Sequence, residues 1–330
     1  MRTCHRGILF LVCCLTSALA NAASPQAACS SCSDACAAKS ETTSTVRRSG
    51  SWLIEETENF SFCRPANYPL KAEVVQAIEK LRQELCGTWL PKSQKMAWNP
   101  KCHIVVHARL EGYLKEVGPG AGQTTGSSLI DFDENRIVMR RIDIRGDRAD
   151  WFADALAHEL THVVLADRFT EVQIPHWADE GMAIQADPIA KRRLHGRDLD
   201  AAVASGGEFR LVELLTLDHY PHPSRMGAFY GQSASLVDYL TRIGTKEQLV
   251  GFVHEATVNG YDAALRNVYA ISGVSALENQ WRRHLRGLPI ETISQQPGTL
   301  RPDESDVAVV TASAAEPSQE STPLTVALME

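Results

Sequence analysis

The sequence predicts an α+β fold, in which a small twisted β-sheet from the first half of the chain packs against helices that dominate the second half. Two short runs rich in β-branched or alternating residues, 102–107 and 136–144, indicate strands. Apolar residues at helical spacing recur from residue 151 onward and indicate a series of helices. With 330 residues, 44% of them hydrophobic, the chain can bury the core of one large domain.

Residues 1–22 have the pattern of a secretory signal peptide. Arg2 and Arg6 precede an apolar run that is too short to span a bilayer, and small residues fit cleavage after Ala20 or Ala22. We therefore expect a secreted, periplasmic or cell-envelope protein with no membrane span.

Six cysteines follow the predicted signal peptide, and an even number suits an oxidising compartment. Three of them lie in residues 23–50, a segment rich in Cys, Ser and Ala that predicts a flexible linker. A metal or redox role for these three is an alternative that the linker composition disfavours. The other three flank an early helix and strand, where we expect a structural disulfide bond. The six are Cys29, Cys32, Cys36, Cys63, Cys86 and Cys102.

The folded domain is predicted to span residues 51–290. Its first element is a strand within residues 52–62, where two phenylalanines alternate with polar residues. An amphipathic helix over residues 72–86 follows, and Gly87 is expected to end it. The β-branched run 102–107 predicts the next strand.

A β-hairpin is predicted over residues 129–131 and 136–144, with its turn at residues 133–135. The glycine-rich run before it, residues 118–126, predicts a flexible loop near the cleft. Gln123 stands where a phosphate-binding loop requires lysine, so nucleotide binding is excluded.

The segment from residue 151 to residue 166 predicts a helix that carries two histidines on one face. Asp150 is its expected N-cap. His158 and His162 are four residues apart, which places both imidazoles on the same side of a helix, and Glu159 lies between them. Two imidazoles so placed can hold one metal ion, and the glutamate can reach a water bound to it. Two structural core histidines are the alternative.

A hydrolytic zinc site also needs a third protein ligand and one open coordination position. Glu180 lies 18 residues after His162, and Pro175 suits the first turn of a second helix. Trp177 and Ile184 share a face of that helix with Glu180, so the carboxylate can point back toward the histidines. If Glu180 is not the ligand, the alternatives are Asp179, His176 and His195.

The rest of the chain is predicted to be mostly helical. The helices are expected at residues 211–217, 229–243, 248–257, 261–269 and 277–285. Residues 291–330 contain one arginine and seven acidic residues among many Ser, Thr, Ala and Pro residues, which predicts a disordered acidic tail.

HExxH followed by Trp-x-x-Glu-Gly-x-Ala resembles the gluzincins, zinc metallopeptidases of the peptidase MA-like group. The residues that carry the resemblance are His158, Glu159, His162, Trp177, Glu180, Gly181 and Ala183. The resemblance implies a zincin-like fold with a Zn²⁺ ion held by His158, His162 and Glu180. It also implies that Glu159 is the general base for a zinc-activated water.

The resemblance implies two further roles. Related gluzincins place a transition-state tyrosine after the ligand helix, and Tyr230 is the candidate, with a packed core tyrosine as the alternative. The strand before the ligand helix, residues 136–144, either pairs with an extended peptide as an edge strand or lies inside the sheet. The metzincin pattern is excluded, because Leu165 and Arg168 stand where it requires glycine and histidine.

Together these features predict an extracytoplasmic zinc peptidase that acts on peptide or protein substrates. The chain has no Gly-x-Met-x-Asn run, which favours an endopeptidase over an aminopeptidase. A formal net charge of −7 disfavours nucleic acid as a partner. Asp154 and Asp179 are candidates to orient the ligand imidazoles. The alternatives are a catalytically silent peptidase-like binding protein and a structural zinc domain.

Overall fold

The structure is a computed structural model, and it describes residues 8–13, 44–69, 72–91, 97–148 and 151–287. Within these residues the chain forms one mixed seven-stranded sheet and ten α-helices, eight of which follow the last strand. This arrangement confirms the predicted α+β class with a helical C-terminal half. The predicted acidic tail lies outside the described residues. In the described part of the chain, no helix is long and apolar enough to cross a membrane.

The sheet mixes parallel and antiparallel strands. In chain order they are β1 (Ile8–Cys13), β2 (Thr45–Ser49), β3 (Trp52–Glu56), β4 (Phe60–Pro65), β5 (Cys102–His107), β6 (Gly126–Asp133) and β7 (Arg136–Arg145). The spatial order is β1-β6-β7-β5-β4-β3-β2. β5 runs parallel to both β4 and β7, and the other neighbours are antiparallel. The predicted strand 102–107 and the predicted hairpin, now β6 and β7, are confirmed.

The start of the domain differs from the prediction. β2 lies within the predicted linker, and the single strand predicted over residues 52–62 is two strands, β3 and β4. The turn between them is held by Glu79, whose buried carboxylate accepts hydrogen bonds from Thr57 Oγ1 at 2.6 Å and Asn59 Nδ2 at 2.8 Å. Because Glu79 is 20 residues from Asn59 in the chain, local sequence patterns do not indicate this turn.

The strand order answers the question of the edge strand. β7 lies between β6 and β5, and because β5 pairs with Arg140–Arg145, the edge-strand interpretation is wrong for residues 140–144. The strand that flanks β7 on its outer side is β6. β1, which lies within the predicted signal peptide, pairs antiparallel with β6, with Ile8 opposite Asp131 and Cys13 opposite Gly126.

Most of the helices match predicted ones with small shifts in their ends, but two of them, over residues 110–117 and 189–205, were not among the predicted helices. The helices are α1 (Ala72–Trp89), α2 (Leu110–Val117), α3 (Ala157–Ala166), α4 (His176–Ile184), α5 (Ile189–Ser205), α6 (Leu211–Leu215), α7 (Met226–Ile243), α8 (Lys246–Asn259), α9 (Tyr261–Tyr269) and α10 (Val274–Leu285). A π-helical turn, Phe152–Leu156, leads into α3, and short 3₁₀ turns form at Pro119–Gln123 and Pro223–Arg225.

The C-terminal end of α1 differs from the prediction, and the predicted N-cap of the ligand helix is not among the described residues. α1 continues through Gly87 to Trp89, because Trp89 and Leu90 are buried and their packing outweighs the glycine stop signal. The predicted N-cap of the ligand helix, Asp150, lies outside the described residues.

The ligand helix α3 is buried between two apolar cores. On one side, Leu160 and Val163 pack with residues of the sheet and α1, including Phe62 and Ile104. On the other side, Leu165 packs with the residues of α4 to α10. Each such side chain contributes roughly 1.5–3 kcal/mol when fully buried. Packing on both flanks therefore fixes the rotation of α3 and the direction of its histidines.

The C-terminal end of α3 is also anchored to the sheet. Asp167 accepts a hydrogen bond from Trp98 Nε1 at 2.6 Å and forms an ion pair with the Arg140 guanidinium of β7. That guanidinium lies over the Trp98 ring, 5.1 Å from its centroid. Residues from three separate segments thus hold one end of the ligand helix.

The predicted disulfide bond among the later cysteines is wrong for the part of the chain that the structure describes. Cys63, Cys86 and Cys102 are all free thiols. Alternation along β4 puts Phe62 in the core and the half-buried Cys63 on the opposite face of the sheet, whereas Cys86 and Cys102 are buried in the core. Cys29, Cys32 and Cys36 lie outside the described residues.

The motif glycine Gly181 allows α4 and α7 to approach closely. A Cβ atom at position 181 would lie 2.5 Å from the Ser233 carbonyl oxygen and 2.6 Å from Val237 Cγ2. Contacts this short are not tolerated, so only glycine fits at this crossing. The crossing sets the position of Glu180, the preceding residue in the chain.

We expect Gly181→Ala to destabilise the protein by about 1–3 kcal/mol, because the added methyl group forces α4 and α7 apart. The midpoint of urea unfolding measures the change. The matched control is Gly251→Ala in α8, where a Cβ atom meets no other atom within 4 Å. The control should be neutral or slightly stabilising, because alanine favours helix over glycine by up to about 1 kcal/mol. Equal midpoints for both variants would contradict this account of Gly181.

Candidate metal centre

α3 and α4 bring two imidazoles and a carboxylate together in the interior. Glu180 Oε2 lies 3.3 Å from His158 Nε2 and 4.0 Å from His162 Nε2. The candidate ligand atoms of the three residues all lie within 4.8 Å of one another. The helical spacing of the histidines and the return of the second helix therefore place these three side chains as the sequence predicted.

Two aspartates fix the orientation of the imidazole rings. Asp187 Oδ1 lies 3.2 Å from His158 Nδ1, and Asp179 Oδ1 lies 2.8 Å from His162 Nδ1. With Nδ1 engaged in this way, each ring directs Nε2 toward Glu180. Asp179 was predicted for this role, but Asp154, the other candidate, is exposed.

Sequence reasoning missed Asp187, which follows the C-terminal end of α4. Its carboxylate also accepts a hydrogen bond from Lys191 Nζ at 2.9 Å, and its other oxygen lies 3.9 Å from His195 Nε2. The nearest sequence signal is Asp187-Pro188, which indicates only a helix boundary.

The electrostatics of the site follow from these pairs. Burial alone would raise the pKa of Glu180, but the hydrogen bond from His158 and the positive charges of both rings lower that pKa to about 2. Burial likewise opposes protonation of His158, yet the Asp187 carboxylate raises the His158 pKa to about 10. Asp179 raises the pKa of His162 in the same way. The site therefore stabilises charge in a place from which water is largely excluded.

Glu159 lies beside these residues and against the first residue of β6. A Cβ atom at Gly126 would be 2.7 Å from Glu159 Cγ, so this point of the strand has room only for glycine. Burial raises the pKa of the Glu159 carboxyl, and the two nearby imidazoles oppose that rise. The predicted loop that ends at Gly126 thus does reach the site.

The residues present fit a divalent metal ion with an associated water. Glu159 Oε2 and His162 Nε2 are buried atoms with no hydrogen-bond partner in the described part of the chain. Buried polar atoms of this kind require a partner, and a metal ion for the imidazole and a water for the carboxylate satisfy both.

Two tyrosines lie near the site in different settings. Tyr230, the residue predicted from the resemblance, is buried in α7 and packs its ring against His195 and Phe229, with centroid distances of 5.6 and 5.4 Å. Tyr220, which sequence reasoning did not identify, donates a hydrogen bond from its hydroxyl to Glu180 Oε1 at 2.6 Å. Tyr220 lies in an irregular connection, where no periodic pattern marks it.

Comparison with known proteins agrees with this geometry. No curated protein matches the chain. The sequence profile of the Peptidase MA superfamily matches residues 123–287, which run from the end of the 3₁₀ turn before β6 to the last described residue after α10. The match covers half of the chain and includes both histidines, Glu159 and Glu180. On these grounds the chain belongs to the Peptidase MA superfamily.

Proposed function

We propose that the protein is a zinc-dependent peptidase that hydrolyses peptide bonds outside the cytoplasm. The observation that carries this proposal is the convergence of His158, His162 and Glu180 within 4.8 Å, with the Glu159 carboxylate beside them. Membership of the Peptidase MA superfamily supports a peptidase acting on peptide or protein substrates. The zinc ion, the catalytic base and the location are parts of the proposal.

The donor set suits a catalytic zinc ion better than a structural one. Two imidazoles and one carboxylate are typical ligands of hydrolytic zinc sites, which keep one position open. Among the described residues the group contains no fourth His, Cys, Asp or Glu ligand. When bound there, zinc would supply a Lewis acid that lowers the pKa of its water and polarises the carbonyl of the substrate.

Glu159 has the position and the environment of a general base. It follows His158 directly in α3, so its carboxylate lies beside the metal ligands rather than among them. Oε2 of Glu159 would accept the proton of the attacking water and later deliver it to the leaving amine. Burial raises the pKa of this carboxyl, which favours its uptake of a proton. Tyr230 stays the candidate predicted from the resemblance for hydrogen bonding to the transition state.

β6 is the strand best placed to hold an extended substrate. It passes directly against Glu159 at Gly126, and β1 occupies its outer side. Removal of the predicted signal peptide, residues 1–22, takes β1 away and frees that side for a peptide in the same antiparallel arrangement. The lack of a Gly-x-Met-x-Asn run favours an endopeptidase.

We expect Glu159→Gln to retain zinc but to lower the rate of peptide hydrolysis by about 100- to 10,000-fold, because an amide cannot take up the proton. Zinc content by elemental analysis and cleavage of a peptide library check both parts. The matched control is Glu84→Gln, an exposed residue of α1 that should behave like the wild type. Full activity in Glu159→Gln would refute the mechanism, and inactivity of the wild type would favour a binding or structural zinc protein.

We expect Asp179→Asn to weaken zinc binding by about 10- to 100-fold, because the carboxylate that holds His162 in its ligand orientation is lost. Competition with a chromophoric chelator measures the dissociation constant. Asp238→Asn is the control, since Asp238 forms only a surface ion pair with Arg242. Wild-type zinc affinity in the Asp179 variant would show that His162 is held by other contacts.

We expect the mature chain to begin at Asn21 or Ala23, after cleavage by a signal peptidase. N-terminal sequencing of the protein recovered from an expressing bacterium's periplasm or medium tests this. Recovery of a chain that still contains residues 8–13 would contradict the predicted signal peptide and would leave β1 in place on β6.

A further inference from the structure

The two oxygens of Glu180 have different partners. Oε1 accepts the hydrogen bond from the Tyr220 hydroxyl at 2.6 Å, a length typical of a charge-assisted bond to a carboxylate. Oε2 is the atom that faces Nε2 of His158 and of His162. Neither the motif spacing nor the family match assigns a role to Tyr220.

Tyr220 belongs to the connection Leu217–His222, which joins α6 to the following 3₁₀ turn. Its ring packs against His176 at a centroid distance of 4.7 Å and against Phe229 at 5.8 Å. Nε2 of His176 lies 3.3 Å from the Asp218 carbonyl oxygen. The connection is therefore attached to the site by the two ring contacts of Tyr220, by its hydroxyl and by the His176 contact to the Asp218 backbone.

We propose that Tyr220 is a positioning residue that makes Glu180 a one-oxygen metal ligand and couples metal binding to the docking of the Leu217–His222 connection. The inference rests on the proposed role of Glu180 as a ligand. With Oε1 held by the hydroxyl, the carboxylate presents Oε2 alone, so a second oxygen does not fill the coordination position that hydrolysis needs. Coupling is reciprocal, so a metal ion that fixes Glu180 also stabilises the docked connection.

The proposed coupling joins a buried site to a surface segment. His158, Glu159, His162 and Glu180 are each at most 2% exposed in the chain that retains β1 on the outer side of β6. A surface connection that is docked through a side-chain hydroxyl can open at smaller cost than a packed helix. Tyr220 thus links the ligand geometry to a surface segment beside the site.

The test is Tyr220→Phe, which removes the hydroxyl and keeps the ring that packs on His176 and Phe229. We expect zinc affinity, measured by chelator competition, to fall about 10- to 100-fold. In the wild type, addition of zinc to the metal-free protein should slow amide hydrogen exchange in residues 217–222. In the variant this zinc-dependent protection should be lost.

The matched control is Tyr239→Phe, which removes a hydroxyl that bonds Gln280 of α10 at 3.2 Å. It should keep the zinc affinity and the exchange pattern of the wild type. Two results would overturn the inference: a Tyr220→Phe variant that binds zinc as tightly as the wild type, or wild-type exchange in residues 217–222 that does not respond to zinc. Neither result would contradict the proposed peptidase function. If the variant does not fold, the wild-type exchange experiment still decides. A wild-type protein that binds no zinc overturns both this inference and the proposed function.

Discussion

At the centre of this protein, each buried charged side chain needs a charged or hydrogen-bonding partner, and this requirement determines how the site is built. An isolated ion in a protein interior costs many kcal/mol, and removal of one partner from a buried pair leaves that cost in place. Here two imidazoles, three carboxylates and a phenol hydroxyl lie within one connected network. α3 supplies the rings, and α4 and its C-terminal extension supply the carboxylates that face them. The network therefore specifies both the site and the packing of the two helices.

Sequence patterns predicted the parts of this arrangement that depend on local periodicity. The four-residue spacing of His158 and His162 requires a helix to bring the rings together, and α3 is that helix. The hairpin of β6 and β7 and the strand 102–107 were predicted from alternation and turn residues, and they form as expected. The second ligand helix was predicted from Pro175 and from the face shared by Trp177 and Glu180.

The parts that the sequence did not predict depend on contacts between distant segments. Glu79 turns the chain between β3 and β4, and a buried Trp89 carries α1 past a glycine. Asp187 and Tyr220 belong to irregular segments, so no period marks them, although both contact the metal-ligand residues. The order of strands in a sheet is likewise a tertiary property, and for this reason the choice between an edge and an internal β7 stayed open.

The anchoring of α3 at Asp167 has a consequence for the position of the metal-site histidines. The ion pair with Arg140 and the indole hydrogen bond from Trp98 hold the histidine-bearing helix against the sheet. On the opposite side, α4, α5 and α7 meet α3 through side chains of the charged network, through the Tyr220 connection and through the apolar packing of Leu165. Movement of α3 relative to the sheet would break both contacts at Asp167, so the position of the two histidines depends on the sheet as well as on α4.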